Sequence, residues 1–307
     1  MTSKLSRRCA RWLGAITASV AAAAWVPAAT QAAPAAAPGS ALVTLGDSFT
    51  ANGFRWEVDA KECLRGPASW PTQLSQLMGV AGSPDFVDAS CSGAAIQTER
   101  GYSLVQEAIN ADKAGAFGPR TKLIAVQFGL NDNWGTSGTT LWTSLIPCVF
   151  NLADGCGLEA AEQGRITDYR GVSGTDYAQR IREVVEYLRY YAPQAKIVLV
   201  GYPELFPAGQ DFACISVLGV GQYVQPRGAA LVQYLDRINA AQRDAAAQLG
   251  IEFFDSRAVT AGHGLCSAQP WLNGALDPRA DLVGIPFHPS AHGDSVVAGA
   301  LYERYGK

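Results

Sequence analysis

Histidine is scarce in this chain, with three in 307 residues, and methionine scarcer still at two. Only the scattered His263, His288 and His292 are available, and no cysteine pair has the two-to-four-residue spacing of a zinc site. A metal centre built from those side chains therefore has no ready ligand set. An excess of positive charge is missing too. The formal charge is −3, and it becomes −7 once the basic residues of the N-terminal head, Lys4, Arg7, Arg8 and Arg11, are set aside. An acidic chain offers no electrostatic footprint for nucleic acid or an anionic membrane, so neither is an expected partner. The Gly-x-Ser-x-Gly elbow of the common α/β-hydrolases occurs nowhere, which disfavours that fold. No internal repeat or second linker divides the roughly 270 residues that follow the head, enough for one large core.

What is present begins with an apolar, alanine-rich stretch from Trp12 to Val26, behind the basic head and ahead of Thr30-Gln31-Ala32. Small residues at the two positions read by a signal peptidase, after a short apolar core, make residues 1–32 an expected export leader. Residues 33–39 (Ala-Pro-Ala-Ala-Ala-Pro-Gly) are expected to be a flexible spacer, and 40–307 a single domain. The mature chain is then secreted and carries no membrane segment. Cys9 leaves with the leader, and six cysteines remain: Cys63, Cys91, Cys148, Cys156, Cys214 and Cys266. An even number in an exported protein argues for disulfides, although spacing alone does not select a pairing. Consecutive pairing, Cys63–Cys91, Cys148–Cys156 and Cys214–Cys266, closes the shortest loops and is the expectation.

Apolar, β-branched runs at Leu42–Leu45, Phe86–Val87, Leu123–Phe128, Ile197–Val200 and Ile251–Phe254 are separated by helical patterns. The latter cover Trp70–Met78, Leu104–Lys113, Tyr177–Tyr191, Leu231–Leu249 and Ala291–Tyr305. Within Tyr177–Tyr191, Ile181, Val184, Val185 and Leu188 recur at the three- and four-residue spacing of one helical face. Strands alternating with helices predict an α/β fold, a parallel sheet with helices on both sides. Regions 129–175 and 202–228 are glycine-rich, contain cysteine, and read as long functional or disulfide-tied loops.

The first strand runs directly into Gly46-Asp47-Ser48, placing a hydroxyl at the carboxyl end of a strand, where ligands collect in open α/β sheets. The tripeptide recurs at Gly293-Asp294-Ser295, but there it follows no strand, and Ser295 reads as helical surface. Serine needs a base and donors for the developing oxyanion. The N–H of Ser48, the N–H of Gly93 in Cys91-Ser92-Gly93-Ala94, and the side-chain amide of Asn131 in Gly129-Leu130-Asn131-Asp132 lie at three successive strand ends. Together they form a candidate oxyanion hole. Of the histidines, His288 is preferred as base, because Pro286 and Pro289 restrict its loop and that loop returns to the strand-end side of the sheet. Asp47 is read as bracing the turn.

Gly46-Asp47-Ser48, Gly93, Gly129-x-Asn131-Asp132 and His288-Pro289 resemble, in order and spacing, the four blocks of the SGNH hydrolases, also called GDSL esterases and lipases. With six cysteines, the chain looks most like their secreted actinobacterial branch with three disulfides. The resemblance implies a three-layer sandwich with a five-stranded parallel sheet between helices. It also implies Ser48 as nucleophile, Ser48, Gly93 and Asn131 as oxyanion hole, and His288 as general base, with no metal or organic cofactor. Many members carry an aspartate three residues before the histidine. Here that position is Ile285, so a Ser48–His288 dyad is expected, with the Ile285 main-chain carbonyl steadying the imidazole. Asp281 or Asp277 is the alternative.

The expected activity is that of a monomeric secreted serine esterase or lipase acting on small-molecule or lipid esters. Trp134, Trp142, Ile146, Phe150, Phe206 and Trp271, in the irregular regions, could line an acyl pocket. A carbohydrate-deacetylating esterase uses the same machinery, and a non-catalytic secreted binding protein is the reading outside enzymes.

Overall fold

The computed structural model describes residues 37–54, 63–98, 101–136, 138–217, 221–281 and 283–307. The expected leader and residues 33–36 of the spacer lie outside the described residues. The described end of the spacer is packed: Arg120 N–H donates to the Pro38 carbonyl at 2.9 Å, and Gly39 is buried. The flexible stretch expected over 33–39 therefore does not extend through Gly39.

Five parallel strands form the central sheet: β1 (Leu42–Gly46), β2 (Phe86–Asp88), β3 (Leu123–Gln127), β4 (Lys196–Val200) and β7 (Glu252–Phe254), in the order β2-β1-β3-β4-β7. Every strand of the central pair β1 and β3 is buried along its length, the signature of a sheet covered on both faces. Period-two alternation sorts its residues. Val43, Leu45, Ile124, Val126, Ile197 and Leu199 face one apolar cluster, into which α3 (Leu104–Lys113), α6 (Gly174–Tyr191) and α7 (Ala229–Leu249) pack. Leu42, Leu123, Ala125, Val198, Val200 and Phe254 face the other, closed by α2 (Trp70–Leu77) and α9 (Ala291–Leu301). The result is the expected three-layer α/β sandwich.

The two long connecting regions contain elements of their own. Region 129–175 holds α4 (Leu141–Val149) and α5 (Glu159–Glu162), and region 202–228 holds an antiparallel hairpin of β5 (Ala213–Val217) and β6 (Gly221–Gln225). Cystines link Cys63 to Cys91, Cys148 to Cys156 and Cys214 to Cys266, with Cα separations of 4.6, 5.3 and 5.4 Å. The second ties the end of α4 back to the chain eight residues later, and the third ties the hairpin to the loop after α8 (Ser256–Val259).

Candidate active site

Strand order reverses direction between β1 and β3, and the crevice at such a switch point is where open α/β sheets bind ligands. The β1 strand ends at Gly46, where a Cβ would fall 2.0 Å from the Thr50 hydroxyl and 3.0 Å from the Gln127 carbonyl oxygen, so no larger residue fits. Its N–H donates to the buried Glu107 carboxyl at 2.7 Å. The chain then turns into α1 (Ser48–Ala51), with Asp47 as N-cap accepting from the Phe49 N–H at 2.9 Å. The other Asp47 oxygen accepts from the Tyr202 hydroxyl at 2.5 Å. Both oxygens are thus spent on the turn. Burial pushes the Asp47 carboxyl up to about 7, against the lowering pull of Tyr202 and the Phe49 N–H.

Ser48 stands on this turn with its Oγ 2.7 Å from His288 Nε2. His288 Nδ1 is 2.9 Å from the Pro286 carbonyl oxygen. A carbonyl only accepts, so Nδ1 carries the hydrogen and Nε2 presents its lone pair to the Ser48 hydroxyl. The acceptor therefore differs from the expectation. The Ile285 carbonyl takes the backbone N–H of His288 at 3.1 Å and the Asn273 amide at 3.3 Å. Between them Phe287 adopts a left-handed φ of 66°, which turns the Pro286 carbonyl under the ring. Neither carboxylate serves instead. Asp281 accepts from the N–H groups of Val283, Ala291 and His292, bracing the start of α9, and Asp277 pairs with Arg279 at 2.6 Å.

Aromatic rings close over the histidine. Trp142, on α4, lies nearly parallel to the imidazole at 5.2 Å and 14°, and Phe49 packs against it at 4.3 Å. His288 is 5 % exposed and Ser48 8 %. Burial of the ring, which strips hydration from the cation, pushes the His288 pKa down from 6.5 to about 4, so it is a neutral base over the ordinary pH range.

Gly93 and Asn131 meet at a cavity of about 770 Å³ whose wall also includes Gln97, Asn133, Thr140 and Arg180. Gly93 has φ +80° with open space where a Cβ would be, so backbone conformation, not crowding, calls for glycine there. One N–H of the Asn131 amide donates to the Ala94 carbonyl at 2.8 Å, leaving the second available. Asp132 locks this corner by accepting from the N–H groups of Ile96 and Gln97 at 3.0 and 3.2 Å. Its carboxyl is raised to about 6 by burial.

Other expected lining residues divide. Trp134 and Phe206 are wholly buried core, with Trp134 stacked on Tyr177 and donating to the Gly129 carbonyl at 2.8 Å. Trp271 stacks on His263 at 3.5 Å. Ile146 and Phe150, 42 % and 44 % exposed, follow Trp142 at four-residue steps, one stripe of α4 continued past its end. Two contributors escaped the reading of the sequence: Pro286, which its side chain had marked only as a rigid flank, and Asn52, which carries no motif. Among the described residues, no group of three His, Cys, Asp or Glu side chains could hold a metal ion.

The model of the GDSL-like lipase/acylhydrolase family matches residues 44–296. Lipase 2 of Streptomyces coelicolor is 29% identical over 285 residues, covering 87% of this chain and 86% of its own. A lipase of Streptomyces rimosus is 28% identical over 258 residues, 82% of each chain. Among solved structures, a phospholipase A1 from Streptomyces albidoflavus superposes with a TM-score of 0.62 at 22% identity, over 87% of this chain and 99% of that one, a likeness of fold. With its match running from the first strand of the sheet into the last helix, the chain belongs to the GDSL-like lipase/acylhydrolase family.

Proposed function

We propose that this chain, by its family a carboxylic ester hydrolase, works through an acyl-enzyme formed on Ser48. The observation that carries the reading is the 2.7 Å contact between Ser48 Oγ and the unprotonated Nε2 of His288. His288 removes the hydroxyl proton as Oγ attacks the ester carbonyl. The N–H groups of Ser48 and Gly93 and the free Asn131 amide N–H receive the negative oxygen of the tetrahedral intermediate. As the intermediate collapses, the imidazolium returns its proton to the departing alkoxide. Water then adds to the acyl-enzyme with His288 again as base, releasing the acid and restoring Ser48. The Pro286 carbonyl holds the tautomer throughout.

The stripe of Trp142, Ile146 and Phe150 favours an aliphatic acyl chain lying along α4. The polar wall of Gln97, Asn133, Thr140 and Arg180 favours a polar alcohol on the other side. That polar wall also supports the second reading, a short-acyl carbohydrate esterase. Three cystines suit an oxidising compartment, and among the described residues no helix is long and apolar enough to cross a membrane, so export behind residues 1–32 is part of the reading.

A fluorescent alkyl phosphonate is expected to label the wild type at one site and to leave Ser48→Ala unlabelled. A wild type that fails to label would return the chain to the class of non-catalytic binding proteins. Hydrolysis of p-nitrophenyl esters of two to sixteen carbons then separates the two enzymatic readings: a preference for acetate alone would displace the long-acyl one.

A further inference from the structure

The second Gly-Asp-Ser has no part in the chemistry above, yet its aspartate is not surface. Asp294 is fully buried, and its Oδ2 accepts from Asn52 Nδ2 at 2.7 Å. A carboxyl left in the interior demands a partner, and this partner belongs to the nucleophile's own element. Asn52, 3 % exposed and left-handed at φ 38°, ends the turn that Ser48 begins, its backbone N–H donating to the Ser48 carbonyl at 2.9 Å.

The same side chain grips the base's loop on both sides of His288. Its Oδ1 accepts from the Ile285 N–H at 2.9 Å, and its Nδ2 donates to the Pro289 carbonyl at 2.8 Å. Those backbone partners decide which end of the amide is which, since an N–H cannot accept and a carbonyl cannot donate. Asp294 takes the remaining amide N–H. Gly284 is pressed against the same group: a Cβ there would fall 2.5 Å from Asn52 Oδ1.

We propose that Asn52 and Asp294 form a positioning pair for the catalytic base, setting the separation of His288 Nε2 from Ser48 Oγ. The proposal rests on the Ser48–His288 reading above. The Pro286 carbonyl orients the imidazole only relative to its own loop. Asn273, which bonds the carbonyls of Val283, Ile285 and Pro289, likewise comes from the chain segment leading into that loop. Phe49 packs on the ring from the nucleophile's side, but packing alone leaves the ring free to slide. Asn52 supplies directional bonds between the two elements, and Asp294, held on α9, keeps its amide from rotating away.

The test uses the full-length protein with Asn52→Asp, Asp294→Asn, Asp294→Ala and the double exchange of Asn52→Asp with Asp294→Asn. Asn52→Asp keeps the acceptor for Ile285 and loses both N–H donors. It is expected to lower kcat about 100-fold, the scale of a displacement near 1 Å, with KM within about twofold. The rate of phosphonate labelling falls in parallel. Asp294→Asn keeps an acceptor for Asn52 through its Oδ1 and is expected to stay within about threefold, whereas Asp294→Ala, which removes the acceptor, is expected to lose about tenfold. The double exchange restores the bond between positions 52 and 294 with reversed polarity but not the bond to Pro289, so it should recover at least fivefold over Asn52→Asp alone. Assays are run well below each variant's thermal midpoint, so that a loss of stability by itself leaves kcat unchanged. The proposal is overturned if Asn52→Asp and Asp294→Ala both keep wild-type kcat and labelling rate, if KM rather than kcat moves, or if the double exchange recovers nothing. Should Asn52→Asp not fold, Asp294→Ala alone decides by the same kcat and labelling readouts. A wild type that the phosphonate does not label would defeat the Ser48 reading instead, a distinguishable result.

Discussion

Removing the indole of Trp142 should change the pH at which this enzyme switches on. The ring covers the outer face of His288 at 5.2 Å and nearly parallel, and with Phe49 beneath it the imidazole is left 5 % exposed. The fall from 6.5 to about 4 caused by that burial corresponds to about 3 kcal/mol against the imidazolium. A stacked indole also attracts a cation, which at a desolvated site acts in the opposite sense by about 2 kcal/mol. Desolvation is the larger effect, so in Trp142→Ala water reaches the ring and the imidazolium is favoured. The assay is kcat/KM against pH on a soluble ester, which reports groups of the free enzyme. The wild type is expected to reach half-maximal kcat/KM near pH 4 and Trp142→Ala to do so about 0.7 pH unit higher. An acid limb that stays in place or moves down in the variant would refute the role of burial, as would a wild-type limb already near 6.5.

Three further outcomes follow from the geometry. Ser48→Ala and His288→Ala should each lower kcat/KM by at least about 10³, whereas Asp281→Asn and Asp277→Asn should stay within about threefold of wild type, because neither carboxylate reaches the imidazole. A loss in Asp281→Asn comparable to that of His288→Ala would restore the carboxylate as the orienting group. Asp47 makes stability pH-dependent: its pKa is raised on folding, so its contribution is complete below about pH 4 and is lost as pH rises through about 7. The urea-unfolding free energy of wild type minus that of Asp47→Asn should therefore fall by about 3 kcal/mol between pH 5 and pH 8, a comparison in which the opposite trend of His288 cancels; an equal difference at the two pH values would contradict it. Glu107→Ala leaves the Gly46 N–H unpaired in the core and should cost about 2–3 kcal/mol by the same measurement, with Glu107→Gln recovering most of it.

How far the sequence could be read depended on the range of the interactions involved. The strands of the central sheet lie within a residue or two of the apolar runs, because a strand buried on both faces must be continuously apolar. Helix α6 extends three residues before its periodic face, starting at Gly174 behind the Ser173 cap. Helix α4 escaped notice: Leu-Trp-Thr-Ser-Leu-Ile-Pro-Cys-Val contains a proline and turns apolar residues both to the core and to solvent, so no single face repeats. The hairpin of β5 and β6 escaped because β6, Gly-Gln-Tyr-Val-Gln, is mostly polar and largely exposed, and the two strands pair chiefly with each other.

By itself the sequence determined which residue types stand at the strand ends: a serine after β1, a glycine after β2, an asparagine after β3, and a histidine held between prolines. Local chemistry suffices for that, since strand, turn and cap preferences act over a few neighbours. Only the tertiary structure decided how the histidine is steadied. A left-handed Phe287 swings the Pro286 carbonyl under the ring, and the turn around His288 occupies the Ile285 carbonyl that the family resemblance had pointed to. Only the fold, too, could join Asn52 to Asp294 across 242 residues, because a buried carboxyl acquires a role through whichever donor the packing brings to it.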